Sequence, residues 1–187
     1  MKLFIPTTVF LLLTSFALAQ VPQHRNPLIN VVLSPQANER ISPEKNLKIN
    51  PTFNWNINPY FNKALNPESN ALVNPKVNNK VNPSVNELIN PMRTPSLNPL
   101  MGGSWTGYYQ FDKNGNHKGY FIWADQMVLV NIDLKGKWLG YMLSVDNKNF
   151  LYYNLENNWS GDFACSDSDS GFNFFDRSGE WTGEYMK

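Results

Sequence analysis

The strictest constraint in this sequence is a run of prolines that recur every eight residues without a slip. Each is preceded by Asn or Ser, and in nine of ten copies Leu, Ile or Val comes before that residue. Asn follows three residues after most of these prolines, so the unit is [ILV]-[NS]-P-x-x-N-x-x. A continuous α-helix is excluded, because proline would interrupt it in every unit. The ten prolines are Pro27, Pro35, Pro43, Pro51, Pro59, Pro67, Pro75, Pro83, Pro91 and Pro99.

The chemistry of this octad predicts one short turn per unit, followed by a short extended piece that carries the aliphatic residue. Proline moves the preceding Asn or Ser out of the helical region, where its side chain can accept backbone N–H groups two or three residues later. The second Asn tolerates a left-handed conformation and can end the turn. Two arrangements stay open. One is a narrow solenoid of stacked octads with ladders of Asn side chains, and the other is an extended, partly polyproline-like stalk.

The solenoid requires an apolar core. The aliphatic residue before Asn-Pro would point inward, and we expect the position two residues after proline to join it. Apolar residues occupy that second position at Ile29, Ala37, Phe53, Phe61, Val77, Val85 and Met101, but not at Lys45, Ser69 and Arg93. Two apolar side chains per octad make a thin core, which favours the stalk, whereas the unbroken register favours repetitive local order.

The second half of the chain has a different composition. All 11 glycines lie between Gly102 and Gly183, whereas all 13 prolines lie at or before Pro99. Residues 102–187 alternate aromatic side chains with Gly, Asp and Asn turn signals, which predicts a mainly β module built as an antiparallel meander. The strand candidates are 104–111, 118–124, 126–134, 137–145, 149–155, 159–165, 172–176 and 180–186. We therefore divide the chain into residues 1–19, 20–101 and 102–187.

A short motif recurs four times in this module, with Gly two residues after Trp and Tyr, Met or Phe two residues after the Gly. Alternate residues of a strand share one face, so these side chains line up. The stretch 105–109, with Gly115 and Gly119-Tyr120, resembles the MORN repeat, an aromatic-x-Gly-x-aromatic hairpin. The resemblance covers 105–124 and 159–185, and the central copy departs from it. It implies a scaffold or binding surface rather than an enzyme.

The Gly-x-Trp opening is also similar to that of lipocalin- and avidin-like barrels. Eight full barrel strands need more residues than the 86 of this module provide. A barrel of that type is therefore the lesser alternative, and the sequence leaves open whether the meander is an open sheet or a closed barrel.

The first 19 residues have the pattern of a secretory signal peptide, with Lys2, an apolar stretch to Leu18 and an Ala17-Leu18-Ala19 cleavage site. The stretch is shorter than the roughly 20 residues of a comfortable membrane span. We predict removal of the signal and a secreted mature chain, extracellular or periplasmic, with no transmembrane span. The single Cys165 cannot form an internal disulfide and is expected to be a small buried residue.

Few residues could support catalysis. The two histidines, His24 and His117, complete no Ser-His-Asp, Cys-His or metal-ligand pattern. Asp162, Glu180 and Glu184 could supply a glycosidase-like carboxylate pair, but they occupy positions typical of exposed side chains on hairpin strands. The Asp and Ser residues of 167–171 lack the spacing and closing Glu of an EF-hand, which favours a solvated turn. We expect no catalytic residue, no cofactor and no metal.

Charge also excludes one class of partner. Residues 20–101 carry eight basic and four acidic side chains, and residues 102–187 carry seven and eleven. The basic residues are not clustered, so nucleic acid binding has no support.

These features predict a secreted or cell-surface, non-enzymatic repeat protein that acts as a structural or interaction scaffold for a protein or glycan partner. The main alternative is a carbohydrate- or cell-wall-binding module that uses exposed Trp and Tyr, and a small secreted hydrolase comes third. Exposed aromatic residues in a row would favour binding, whereas buried ones would favour a structural role. The candidate ligand-binding residues are Trp105, Trp138, Trp159, Trp181, Tyr109 and Tyr185.

Overall fold

A computed structural model describes residues 22–89, 93–94 and 106–187. The predicted signal peptide, Met101 and Trp105 lie outside the described residues. Within these ranges, no helix combines the length and apolar character that a membrane crossing requires.

The C-terminal module is a closed antiparallel barrel of eight strands in sequential order. Each strand pairs with its neighbours in the chain, and β1 pairs with β8 to close the barrel. The strands are β1 (Gly107–Phe111), β2 (His117–Trp123), β3 (Val128–Asp133), β4 (Trp138–Ser144), β5 (Asn149–Tyr153), β6 (Trp159–Ser166), β7 (Phe172–Phe175) and β8 (Trp181–Met186).

The prediction of a mainly β antiparallel meander is confirmed, and the meander is closed; the expectation that 86 residues are too few for eight barrel strands was wrong. That expectation holds only for long barrel strands. The strands here have only four to eight residues and are joined by short turns, so 86 residues are sufficient for eight of them.

Ring contacts between non-adjacent strands identify the interior face of the barrel. Phe121 of β2 lies 5.5 Å from Phe174 of β7, and Trp123 of β2 lies 5.8 Å from Phe150 of β5, as ring centroids. Because side chains alternate between the faces of a strand, the remaining interior positions follow from these. The buried interior cluster consists of Phe121, Leu129, Met142, Phe150, Ala164, Phe172, Phe174 and Met186.

The outer face of the barrel is apolar as well. It carries stacked ring pairs between adjacent strands, including Tyr141 on Tyr153 at 5.4 Å and Phe163 on Phe175 at 5.5 Å between centroids. All four side chains are buried, so something other than solvent covers this face.

Residues 22–89, which we call the octad ribbon, lie against that outer face. Leu65, Val73 and Val81 are buried in one cluster with outward-facing residues of β3 to β7. Ile89 joins a second cluster with outward-facing residues of β2 and β3. The aliphatic residue that precedes Asn-Pro is thus buried, as expected. It packs against the barrel, however, and not in a solenoid core of the ribbon alone.

Polar contacts also join the ribbon to the barrel. The Tyr153 hydroxyl donates to the Leu65 carbonyl at 2.6 Å, and the Asn173 amide donates to the Leu33 carbonyl at 2.9 Å. The Asn157 amide donates to the Asn74 side chain at 2.8 Å. These bonds use groups on both segments that burial would otherwise leave unsatisfied.

Each octad contains two turns, which differs from the predicted turn plus extended piece. The first follows proline and the second follows the next Asn, whose Oδ1 accepts the backbone N–H two residues later in most copies. This second cap gives the aliphatic half a turn of its own. Several of these turns are one-turn 3-10 helices, at Gln23–Arg25, Glu39–Ile41, Leu47–Ile49, Lys63–Leu65, Ala71–Val73, Asn79–Val81 and Glu87–Ile89.

The same Asn side chains link successive octads. Each one donates through Nδ2 to a carbonyl six residues earlier, in the preceding octad, as Asn70 does to Ala64 at 2.7 Å. The bond recurs at Asn30, Asn38, Asn46, Asn54, Asn62, Asn70, Asn78 and Asn86. In the described ribbon, therefore, the eight-residue period lets this bond recur once in each octad. Whether the octad segment forms a stacked repeat or a stalk on its own, without the barrel, stays open.

The shared cluster predicts that a ribbon substitution will destabilise the barrel. Leu65→Ala should lower the free energy of unfolding by about 2–5 kcal/mol, because Leu65 is 3% exposed and packs on the barrel. Leu72→Ala is the matched control; at 73% exposure it should change stability by less than about 0.5 kcal/mol. Urea unfolding followed by tryptophan fluorescence measures both. Equal stabilities would show that residues 102–187 fold independently of the ribbon.

The Asn bonds predict an effect on hydrogen exchange. Asn70→Ala removes the acceptor of the Leu72 N–H and the donor to Ala64, so exchange at Leu72 should accelerate by about tenfold. Asn79→Ala, at an exposed position, should leave ribbon exchange unchanged. Rapid exchange of the ribbon amides in the wild-type chain would contradict this and favour the stalk.

Candidate functional site

Five of the seven turns that join consecutive strands begin with an Asp or Asn whose Oδ1 accepts the backbone N–H groups two and four positions later. Asp167 is one of them, with Ser170 as its third following residue. The other four, Asp112, Asp133, Asn154 and Asp176, share one further feature. The third residue after each has a positive φ and is Gly, or Asn at Asn157. The barrel is therefore four similar hairpins spaced 21 or 22 residues apart.

A ring nitrogen then bonds the strand that leaves each of these turns. The indole N–H groups of Trp138, Trp159 and Trp181 donate to backbone carbonyls two or three residues later, at 2.8, 2.9 and 3.2 Å. In the first hairpin, His117 takes this position, with Nε2 3.1 Å from the Gly119 carbonyl. The Trp-x-Gly motif in the sequence groups Trp105 with Trp138, Trp159 and Trp181. In the structure, His117 occupies the position equivalent to those three tryptophans. The Asp/Asn-x-x-Gly/Asn spacing is the signal that could have found it.

The structure distributes the predicted aromatic residues over several strands. Trp138, Trp159 and Trp181 are half-buried and pack against the outer cluster. Tyr109 is half-buried beside His117, and Tyr185 is fully buried beneath Phe111. Trp159 is the member that meets an exposed ring, since Tyr60 of the ribbon lies 5.6 Å away between centroids. The five described residues do not form one flat surface.

The most exposed large apolar side chains lie on the ribbon instead. The position two residues after proline was expected in the core, but this was wrong, because the side chain before Asn-Pro faces the barrel and this one faces outward. We call the apolar residues at this position, which Lys45 and Ser69 interrupt, the apolar stripe. Its members are Ile29, Ala37, Phe53, Phe61, Val77 and Val85, all of them exposed.

Aromatic residues concentrate at one part of the stripe. The rings of Trp55 and Phe61 stack at 5.3 Å between centroids, and Phe53 and Tyr60 lie in the same two octads. Trp55 is 69% exposed, more than any other Trp of the described chain. This group was not among the predicted ligand-binding residues, because those were all aromatic residues of the C-terminal module.

The barrel interior opens at the end that carries the four similar turns. There it forms a cavity of about 310 Å³, which we call the barrel mouth. Polar side chains of the mouth come from several strands: Gln110, Lys118, Asn131, Tyr152, Asp162 and Glu184. The expectation that Asp162 and Glu184 are exposed was wrong, since both are half-buried in the mouth, whereas Glu180 is exposed on its turn.

The mouth has a negative electrostatic character. Burial raises the pKa of Tyr152 to about 12, and the neighbouring charges of Asp162 and Glu184 contribute to the rise. The negative charge of Glu184 is compensated, because Lys118 donates to its Oε1 at 2.5 Å. Gln110 also donates to its Oε2 at 3.2 Å.

Two further predictions concern single residues. Cys165 is buried, and its Sγ lies 3.5 Å from the Ile49 carbonyl of the ribbon; burial raises the pKa of this thiol. The expectation of a solvated turn at 167–171 was wrong for Asp167, which is fully buried and 2.5 Å from Lys187 Nζ. The Lys187 ammonium thus compensates this carboxylate.

The packing of the motif tryptophans predicts a structural role. Trp181→Ala should lower the free energy of unfolding by about 3 kcal/mol, because it removes a packed ring and a hydrogen bond to the Glu184 carbonyl. Trp55→Ala, at the exposed position on the ribbon, should change it by less than about 0.5 kcal/mol. Urea unfolding followed by circular dichroism compares them. A change below about 1 kcal/mol for Trp181→Ala, together with lost glycan binding, would instead support a stacking platform on the barrel.

Comparison with known proteins adds no functional assignment. No family model matches the chain. No curated protein and no solved structure matches it either.

Proposed function

We propose that this protein is a secreted, non-enzymatic interaction scaffold in which the barrel supports the octad ribbon and the ribbon presents the apolar stripe to a protein partner. The observation that carries the proposal is the exposure of the stripe. Five of its members, Ile29, Phe53, Phe61, Val77 and Val85, are between 54% and 63% exposed.

The stripe is not needed to hold the ribbon in place. The side chain before Asn-Pro supplies the apolar contact to the barrel in several octads, as Leu65, Val73 and Val81 do. Single exposed apolar residues are ordinary, but five large exposed apolar side chains at one repeat position favour an interaction site. The octad repeat places these side chains at one equivalent position, in three neighbouring pairs that Lys45 and Ser69 separate.

Charge indicates the chemistry of the partner. The ribbon carries seven basic and four acidic side chains, so its net charge is +3. Electrostatic complementarity favours a partner whose apolar groove is rimmed by Asp and Glu side chains.

A glycan polymer is the second candidate, and the aromatic group at 53–61 favours it. Aromatic rings offer flat faces to the apolar faces of sugar rings, and Trp55, Tyr60 and Phe61 are all strongly exposed. A glycan would use this part of the stripe alone, whereas a protein groove would also contact Val77 and Val85.

Two double variants separate these candidates. Phe53→Ser with Phe61→Ser removes the aromatic part of the stripe, and Val77→Ser with Val85→Ser removes an aliphatic part at matched exposure. For a protein partner, each pair should weaken saturable binding of the labelled full chain to the surface of the cells that produce it by about tenfold. Protease treatment of the cells should abolish the binding.

For a glycan partner, the aromatic pair alone should weaken binding, and periodate treatment should abolish it. Thermal unfolding checks that both variants keep the wild-type fold, as their exposure predicts. Saturable binding that neither pair affects would overturn the proposal.

A further inference from the structure

The barrel mouth is independent of the stripe and is built as a site of its own. Ligand sites in barrels commonly lie at such openings, with an apolar lining and a few polar groups that fix the ligand. The volume of about 310 Å³ is suited to a small molecule rather than to a polymer.

Most polar groups of the mouth are already paired with one another. Glu184 accepts from Lys118 and Gln110, as described above. Gln110 Oε1 in turn accepts from Asn131 Nδ2 at 3.1 Å. This chain of bonds fixes the side chains of Lys118, Glu184, Gln110 and Asn131 without any ligand.

Two acceptors remain available. Asn131 is 2% exposed, and its Oδ1 has no hydrogen-bond partner among the described residues. An unsatisfied buried amide oxygen is costly, so this atom calls for a donor. Asp162 accepts from the Ser160 hydroxyl at 2.8 Å, but its charge has no ion-pair partner in the described chain. The mouth therefore offers one uncompensated negative charge and one free neutral acceptor.

The floor of the mouth is apolar. The rings of Phe121 and Phe174 lie 5.5 Å apart between centroids, and both side chains are buried in the interior cluster. A ligand that enters between the polar groups meets aromatic carbon beneath them. Its body should accordingly be apolar, and its polar end should donate hydrogen bonds.

From these observations we infer that the barrel mouth binds a small primary ammonium compound with an apolar body. The ammonium group pairs with the Asp162 carboxylate and donates to Asn131 Oδ1, and the body rests on Phe121 and Phe174. Aromatic faces also attract cations, which adds to the selectivity for this class. A neutral alcohol of the same shape lacks the charge, and a carboxylate is repelled by Asp162.

Three matched probes test the charge requirement on the full wild-type chain: 2-phenylethylammonium, 2-phenylethanol and 3-phenylpropionate. Titration calorimetry should give binding of the ammonium compound at least about tenfold tighter than the alcohol, and none of the carboxylate. Amide chemical shifts of Asn131 and Asp162 in NMR spectra should move during the titration, which places the ligand in the mouth.

Asp162→Asn tests the residue that carries the selectivity. It removes the charge and keeps an acceptor for Ser160, and it should weaken ammonium binding by about tenfold without affecting the alcohol. Glu180→Gln is the control, because it removes one carboxylate charge from an exposed turn outside the mouth and should change neither affinity. Equal binding of ammonium and alcohol, an unaffected Asp162→Asn variant, or no binding of any probe at about 10 mM would each overturn the proposal.

Discussion

One local interaction recurs through the whole described chain: the side-chain oxygen of an Asp or Asn accepts the backbone N–H two residues later. This interaction turns the chain tightly, because it satisfies a backbone donor in the bend, and in the ribbon it caps several one-turn 3-10 helices. All seven connections between consecutive barrel strands use it, at Asp112, Asp125, Asp133, Asp146, Asn154, Asp167 and Asp176. The octad Asn residues use it in the ribbon. Two very different compositions thus share one means of turning the chain.

Tight turns permit short strands, and short strands close into a barrel whose two faces are both apolar. The interior is filled by its own rings, but the outer face of β3 to β7 also presents large apolar side chains such as Tyr141 and Phe163. The ribbon meets this need by placing one aliphatic side chain per octad against that face. The opposite net charges of the two segments favour the same contact, and Lys76 bonds the Glu156 carbonyl across it.

Much of the local structure could be predicted from the sequence, because turns and strand periodicity depend on neighbouring residues. All eight strand candidates of the barrel correspond to strands, within a few residues at each end. Closure was not predictable in this way, because it depends on β1 meeting β8, far apart in the chain. The equivalence of His117 with three tryptophans was hidden for another reason: the hydrogen bond needs a ring N–H, which both residue types supply. The outward direction of Phe53 and Phe61 could be assigned only once the barrel was known to cover the opposite side of the ribbon.

These constraints leave few places where a ligand can bind. The ribbon covers a large part of the apolar outer face, so the motif tryptophans beneath or beside it are held by packing and backbone bonds. Two surfaces of the described chain carry chemistry that the packing of the fold does not use. On the ribbon, exposed stripe residues such as Phe61 and Val85 are separated by multiples of the octad length, which suits an extended partner. At the mouth, Asp162 and Asn131 leave a charge and an acceptor in a cavity too small for a polymer, which suits a compact cation. Because different residues form the two surfaces, binding at one can be removed while the other is kept.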